Sequence, residues 1–143
     1  MFGLRIFALT LLMLFAAAVE CRESTRPHLD TVEQFIAAFN AHESSAMGLL
    51  VTDDIEWLSI AGSEVVIETS GRAELIAEMD AYFKSCLSCK SQLTSAVSTA
   101  GRVSAVEVAS WQTEGGRKSQ RSLSVYEFAG DMISRVYYFP AEQ

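Results

Sequence analysis

Few side chains in this chain could carry chemistry, and most of them are acids. Glu107 stands among Val103, Ala105, Ala109 and Trp111, residues that share one face if the segment is a strand. A carboxyl buried on such a face has its pKa pushed upward, toward the range useful for passing a proton. The competing reading makes Glu107 an ordinary charge on an exposed stretch or dimer rim, paired to Arg121 or Arg135. Glu56 and Glu127 are the other strand acids, and neither has that apolar frame. The adjacent Asp53 and Asp54 read as a solvated turn, since a hard cation needs a third ligand and none is close in sequence. His42 falls at the end of a predicted helix and reads as a cap over its last carbonyls rather than as a base.

Cys86 and Cys89 enclose Leu87-Ser88. A catalytic thiol pair would open a helix, where the dipole lowers the thiol pKa, and this pair instead closes one. Zinc would need further ligands beside this pair, and only Cys21, His28 and His42 are available, so no metal is expected. A structural disulfide or two free thiols remain. No nucleophilic triad, phosphate loop or hydride-cofactor fingerprint is visible, and no cofactor is expected.

The 143 residues allow one domain, and the N-terminus subtracts from that. Met1 to Ala18 has a single basic residue, Arg5, an apolar run from Ile6 to Phe15, and Ala16-Ala17-Ala18, the pattern of a secretory signal cleaved after Ala18. The expected location is periplasmic or secreted. The run is short for a membrane-spanning helix, so no stable membrane insertion is expected after cleavage. Lipidation at Cys21 is the minority alternative, because Glu20 stands where a small residue should precede the acylated cysteine. Loss of Arg5 leaves ten Lys and Arg against eighteen Asp and Glu, a net charge of −8. That balance disfavours nucleic acid as a partner, and none is expected, since phosphate binding depends on clustered basic charge.

The elements that must position Glu107 follow from periodicity. Residues 19–29 read as a flexible lead-in. A first helix begins near Asp30-Thr31, with Thr31 and Gln34 as a capping box, and places Val32, Phe35, Ile36 and Phe39 on one stripe. A short helix follows from Ser44 or Ser45 through Leu50. A strand runs over Ile55 to Ile60, and Val65-Val66-Ile67 extends it or forms a short second one. A third helix from Ser70-Gly71 reaches the cysteine pair, and a strand at about Ser91 to Thr99 leads into a meander of three more. The glycines of Glu114-Gly115-Gly116-Arg117 and Ala129-Gly130-Asp131 supply the turns. The result is α+β, with helices packed on one face of a curved sheet.

Four stretches then resemble a known family: Phe39-Asn40-Ala41-His42-Glu43, Thr52-Asp53-Asp54-Ile55-Glu56-Trp57, Gly71-Arg72-Ala73-Glu74-Leu75 and Val125-Tyr126-Glu127-Phe128-Ala129-Gly130-Asp131-Met132-Ile133. In this order and spacing, over residues 30–140, the chain resembles the NTF2-like superfamily and its SnoaL-like branch. The resemblance implies a cone-shaped α+β barrel. Its strongly curved, mostly antiparallel sheet wraps around helices and encloses an apolar pocket, often in a homodimer formed through the sheet. Function is less constrained, since the scaffold supports isomerases, cyclases, hydrolases and non-enzymes.

Ketosteroid isomerase-like members use an aspartate base with a tyrosine and a protonated aspartate at the oxyanion. Here the corresponding positions hold Ser59, Phe35 and Ser124, so that chemistry is not expected. Trp57, Trp111, Tyr126 and Tyr138, with Ser59 and Ser124, are the candidate ligand contacts, and Tyr82, Tyr137 and Phe139 are further aromatics that could wall a pocket. The expected function is binding of a small, mostly apolar molecule by an exported domain. One alternative is a hydrolase, isomerase or cyclase using Glu107 as acid or base. The other is a homodimeric protein-interaction module.

Overall fold

The computed structural model describes residues 26–140. The expected signal Met1 to Ala18, the lead-in as far as residue 25 and Cys21 lie outside the described residues. The elements are α1 (Arg26–Ala41), α2 (Ser44–Gly48), β1 (Val51–Ala61), β2 (Glu64–Ser70), α3 (Arg72–Ser85), β3 (Lys90–Ser98), β4 (Arg102–Thr113), β5 (Gly116–Ala129) and β6 (Met132–Phe139). One six-stranded sheet has the order β2-β1-β6-β5-β4-β3. All neighbours are antiparallel except β1 and β6, which run parallel. This is the expected α+β architecture, and Val65-Val66-Ile67 belongs to a strand of its own.

The two hairpins of the meander turn where the glycines stand. Gly116 has φ +105° and Gly130 has φ +62°, conformations that a side chain would strain. The apolar stripe of α1 lies against the sheet: Val32 and Phe35 are fully buried with Val103, Tyr126 and Val136. Strand alternation sends the neighbouring residues of β4, β5 and β6 to the opposite face, which no helix among the described residues covers.

Helix α1 starts earlier than its capping signature suggests. Thr31 lies inside the helix, and its hydroxyl donates to the Asp131 carbonyl 3.4 Å away. In the first turns His28 stacks on Phe128, ring centroids 4.1 Å apart, and its Nε2 lies 3.0 Å from the Gly130 carbonyl. Docking onto the β5–β6 turn supplies tertiary contacts that extend the helix beyond the local cap, so residues 26–29 are helical rather than part of a lead-in.

His42 takes φ +59° just after α1, and its backbone N–H donates to the Phe39 carbonyl at 3.0 Å. Its ring serves tertiary packing instead of capping: it stacks on Phe83 and lies 3.2 Å from the Cys89 carbonyl. Cys86 and Cys89 are joined in a disulfide after the end of α3. Asp53 and Asp54 are exposed at the start of β1, and Asp53 pairs with Arg72 at 2.6 Å.

Candidate functional site

Between α1, α3 and the concave face of the sheet lies a cavity of about 440 Å³. Its helical wall comes from Phe35, Ile36 and Phe39 of α1 and from Met79 and Tyr82 of α3; its sheet wall includes Trp57, Ala109 and Tyr138. Glu107, Glu68 and Ser91 supply the polar lining. An adjoining recess of about 350 Å³ shares Phe39, Tyr82, Ala109 and Tyr138 and is bounded by Trp111 and the disulfide.

Glu107 faces inward from β4, as strand parity requires, and both of its oxygens are occupied. Oε1 accepts a short hydrogen bond from the Tyr126 hydroxyl, and Oε2 accepts one from the Ser91 hydroxyl at 3.1 Å. Tyr126 reaches it because the β4–β5 register sets Val103 opposite Tyr126 and Glu107 opposite Ser122. Ser91 is held by α1: the Asn40 side chain donates to the Ser91 carbonyl and accepts from the Ser91 N–H, both at 2.8 Å. The amide of Asn40 thus pairs with edge strand β3 as a neighbouring strand would. Two fixed donors hold the carboxylate in one rotamer while it still borders the cavity.

Burial, and then the Glu107 carboxylate beside it, push the Tyr126 phenol well above its ordinary pKa of 10.0, with the Ser124 hydroxyl acting in the opposite direction. Tyr126 therefore keeps its proton at neutral pH and donates it to the carboxylate. Partial burial and Tyr138 also raise Tyr82. The Tyr82 hydroxyl donates to Cys89 Sγ at 3.2 Å, which ties α3 to the disulfide. Tyr138 lines the cavity with its hydroxyl 2.6 Å from Ser122 Oγ and receives Gln120 Nε2 at 3.2 Å.

The expected partners of Glu107 are elsewhere. Arg135 sits on the outer face, 2.6 Å from Glu56 and 3.7 Å from Glu127, and Arg102 closes on Glu127 at 2.6 Å. Arg121 is exposed on β5, one residue before the inward-facing Ser122 and opposite Val108. One residue of register separates these arginines from the cavity, since adjacent strand positions face opposite sides.

Of the sequence candidates, Trp57, Tyr138 and Glu107 border the main cavity, and Trp111 borders the recess. Tyr126 and Ser124 are fully buried behind the lining, so Tyr126 supports the acid rather than touching the cavity space. Ser59 is half-buried on β1, paired with Tyr138 and Val66, and is not among the lining residues. Phe35, at the position of the isomerase tyrosine, presents only a ring edge or face to the cavity.

Two polar lining residues were not among the sequence candidates. Glu68 reaches the cavity because Thr69 pairs with Trp57 while Ile67 pairs with Leu58, leaving Glu68 as the extra residue of a bulge. Ser91 acquires its role only through Asn40, fifty-one positions away in the chain. Among the described residues no cluster of three His, Cys, Asp or Glu side chains could hold a metal, and no helix is long and apolar enough to cross a membrane. Chemically, the arrangement is a small aromatic cavity with one positioned carboxylate in its wall, able to accept a hydrogen bond or a proton.

Solved structures share this fold. A cystatin-fold protein from Novosphingobium aromaticivorans is 24% identical with a TM-score of 0.67, over 78% of this chain and 96% of that one. Bal32a, from a soil-derived mobile gene cassette, is 19% identical with a TM-score of 0.68, over 80% and 88%. A protein of ketosteroid isomerase-like fold from Catenulispora acidiphila, solved in complex with trimethylamine, is 16% identical with a TM-score of 0.65, over 78% and 85%. A comparison with curated protein sequences gives no match. Residues 32–136 match the model of the SnoaL-like domain, most of the chain and nearly all of the described fold, and the chain belongs to that family within the NTF2-like folds.

Proposed function

We propose that this domain binds a small, mostly apolar molecule in the cavity between α1, α3 and the sheet. The observation that carries the reading is the combination of about 440 Å³ of aromatic-walled space with a carboxylate, Glu107, fixed at both oxygens and open to it. That volume lies in the range of small-molecule sites, and few convergent polar groups in an apolar wall are their usual pattern. Ala109 lines both the cavity and its recess, so Ala109→Trp should fill the space. Calorimetric titration with indole should give saturable binding in the wild type and none in Ala109→Trp, with both proteins folded by circular dichroism. Equal heats from the two proteins would remove the cavity from function.

A second reading has Glu107 acting as acid or base in a hydrolase, isomerase or cyclase. Its support is the fixed rotamer of a carboxylate beside a cavity, the preorganisation that proton transfer needs. Product formation from an ester, epoxide or enolisable ketone that is lost in Glu107→Gln would establish it.

Export and self-association complete the proposal. The Met1 to Ala18 pattern and the Cys86–Cys89 disulfide both suit an oxidising, extracytoplasmic compartment. A mature N-terminus at Val19, read by mass spectrometry of protein from the native envelope, is the expected result; an intact Met1 would refute it. Pairing of two copies through the sheet is supported by the uncovered apolar residues of its outer face, among them Val65, Ile67, Val97 and Leu123.

A further inference from the structure

The cavity has walls of one electrostatic sign. Glu107 and Glu68 both border it, and no Lys, Arg or His is among its lining residues. The partners on Glu107 are the neutral hydroxyls of Tyr126 and Ser91, which satisfy its geometry and bring no positive charge. Among the described residues the ion pairs lie elsewhere: Arg135 and Arg102 hold Glu56 and Glu127 on the outer face, and Arg72 holds Asp53 at the start of β1. Lys90, one residue before Ser91, borders the adjoining recess rather than the main cavity, and its ammonium is given to the Asn40 carbonyl. A half-buried carboxylate without a counter-charge is an incomplete arrangement, because the pairing that offsets its desolvation has to come from outside the chain.

The rest of the wall favours the same kind of guest. Phe35, Phe39, Trp57, Tyr82 and Tyr138 contribute ring surfaces, whose faces attract cations. The chain's net charge of −7 draws cations toward the protein and disfavours the approach of anions. An anionic guest would meet two like charges, and a neutral one would expel water from Glu107 without replacing it by a charge.

We propose that the cavity takes a small organic cation, a protonated amine on an apolar or aromatic body. The ammonium is directed to Glu107, and the body lies against Met79, Ile36 and the ring surfaces. This assignment of ligand class rests on the binding function proposed for the same cavity. It also explains why the acid is held so firmly: a fixed acceptor in an aromatic wall recognises a donor cation at lower ordering cost than a mobile one.

Calorimetric titration of the wild-type protein with three matched probes tests it: 2-phenylethylamine, 2-phenylethanol and 3-phenylpropionate, near neutral pH and at low salt. The amine should bind tightest, by roughly tenfold or more over the alcohol, and the carboxylate weakest. Added salt should weaken the amine and leave the alcohol unchanged. Glu107→Gln should bring the amine down to the level of the alcohol without altering the alcohol itself. If that variant does not fold, the wild-type ranking alone decides. Amine and alcohol binding equally, or a preference for the carboxylate, would overturn the cationic assignment while leaving cavity binding intact. Failure of all three to bind would overturn both.

Discussion

Glu107 and Tyr126 share one hydrogen bond between a half-buried acceptor and a fully buried donor, and the cost of disturbing it falls on the phenol. The pKa of Tyr126 is raised above its ordinary 10.0 by burial first and by Glu107 second. The unfolded chain therefore gives up this proton at lower pH than the folded one does. Its contribution to stability is complete below about pH 10 and is lost as pH rises toward the folded-state value. Urea midpoints should fall from about pH 9 to about pH 11, and Tyr126→Phe should fall less steeply because it has no phenolic proton to lose. At neutral pH the same variant should be about 1–3 kcal/mol less stable, since Oε1 loses its donor inside the protein. Identical alkaline slopes would assign the loss to other tyrosines, of which Tyr82 is also raised. Strand parity was enough to aim Glu107 inward from sequence. The exchange of Tyr126 from ligand contact to buried support was not legible, because it depends on which rung of β5 the carboxylate meets.

Helix α1 carries two phenylalanines one turn apart with different work. Phe35 is 1% exposed in the core, whereas Phe39 is half-buried and turns an open side to the cavity. Phe35→Ala should cost ~3–5 kcal/mol as a full core truncation. Phe39→Ala should cost less, about 1–3 kcal/mol, because part of its ring already borders empty space. Urea denaturation of the two variants checks the order, and a larger loss at Phe39 would mean that the cavity is closed. The stripe itself was legible, since Val32, Phe35, Ile36 and Phe39 repeat at helical spacing. The depth of each residue was not, because it depends on where the sheet curves away. Similarly, the hydrophobic run of β2 was visible, but not the bulge that turns Glu68 into the cavity. The start of α1 was misplaced because a local capping pattern competes with docking on the β5–β6 turn, and only tertiary structure decides between them.

Across the outer face, pairing aligns Ile67, Leu58, Tyr137, Val125, Ser104 and Val97 in a single row through six strands. An adjacent row brings Leu123 beside Val106 and Phe139. Such a surface suits a second copy of itself, since a two-fold pairing lets one apolar patch bury its equal. Under the proposed self-association, sedimentation velocity should show a dimer at tens of micromolar for the wild type and a monomer for Leu123→Lys, whose side chain is 44% exposed. A monomeric wild type would end that reading.

The parallel pairing of β1 with β6 has a further consequence, and it concerns time. β6 is the last of the described strands in chain order, yet it stands between β1 and β5 near the middle of the sheet. As the chain emerges from the ribosome it can form a β2–β1 hairpin and a β3–β4–β5 meander, but these two pieces share no strand border until residues 132–139 arrive to join them. The two pieces of the sheet therefore stay unjoined until β6 is made, and the fold closes through a parallel pairing between strands far apart in the chain.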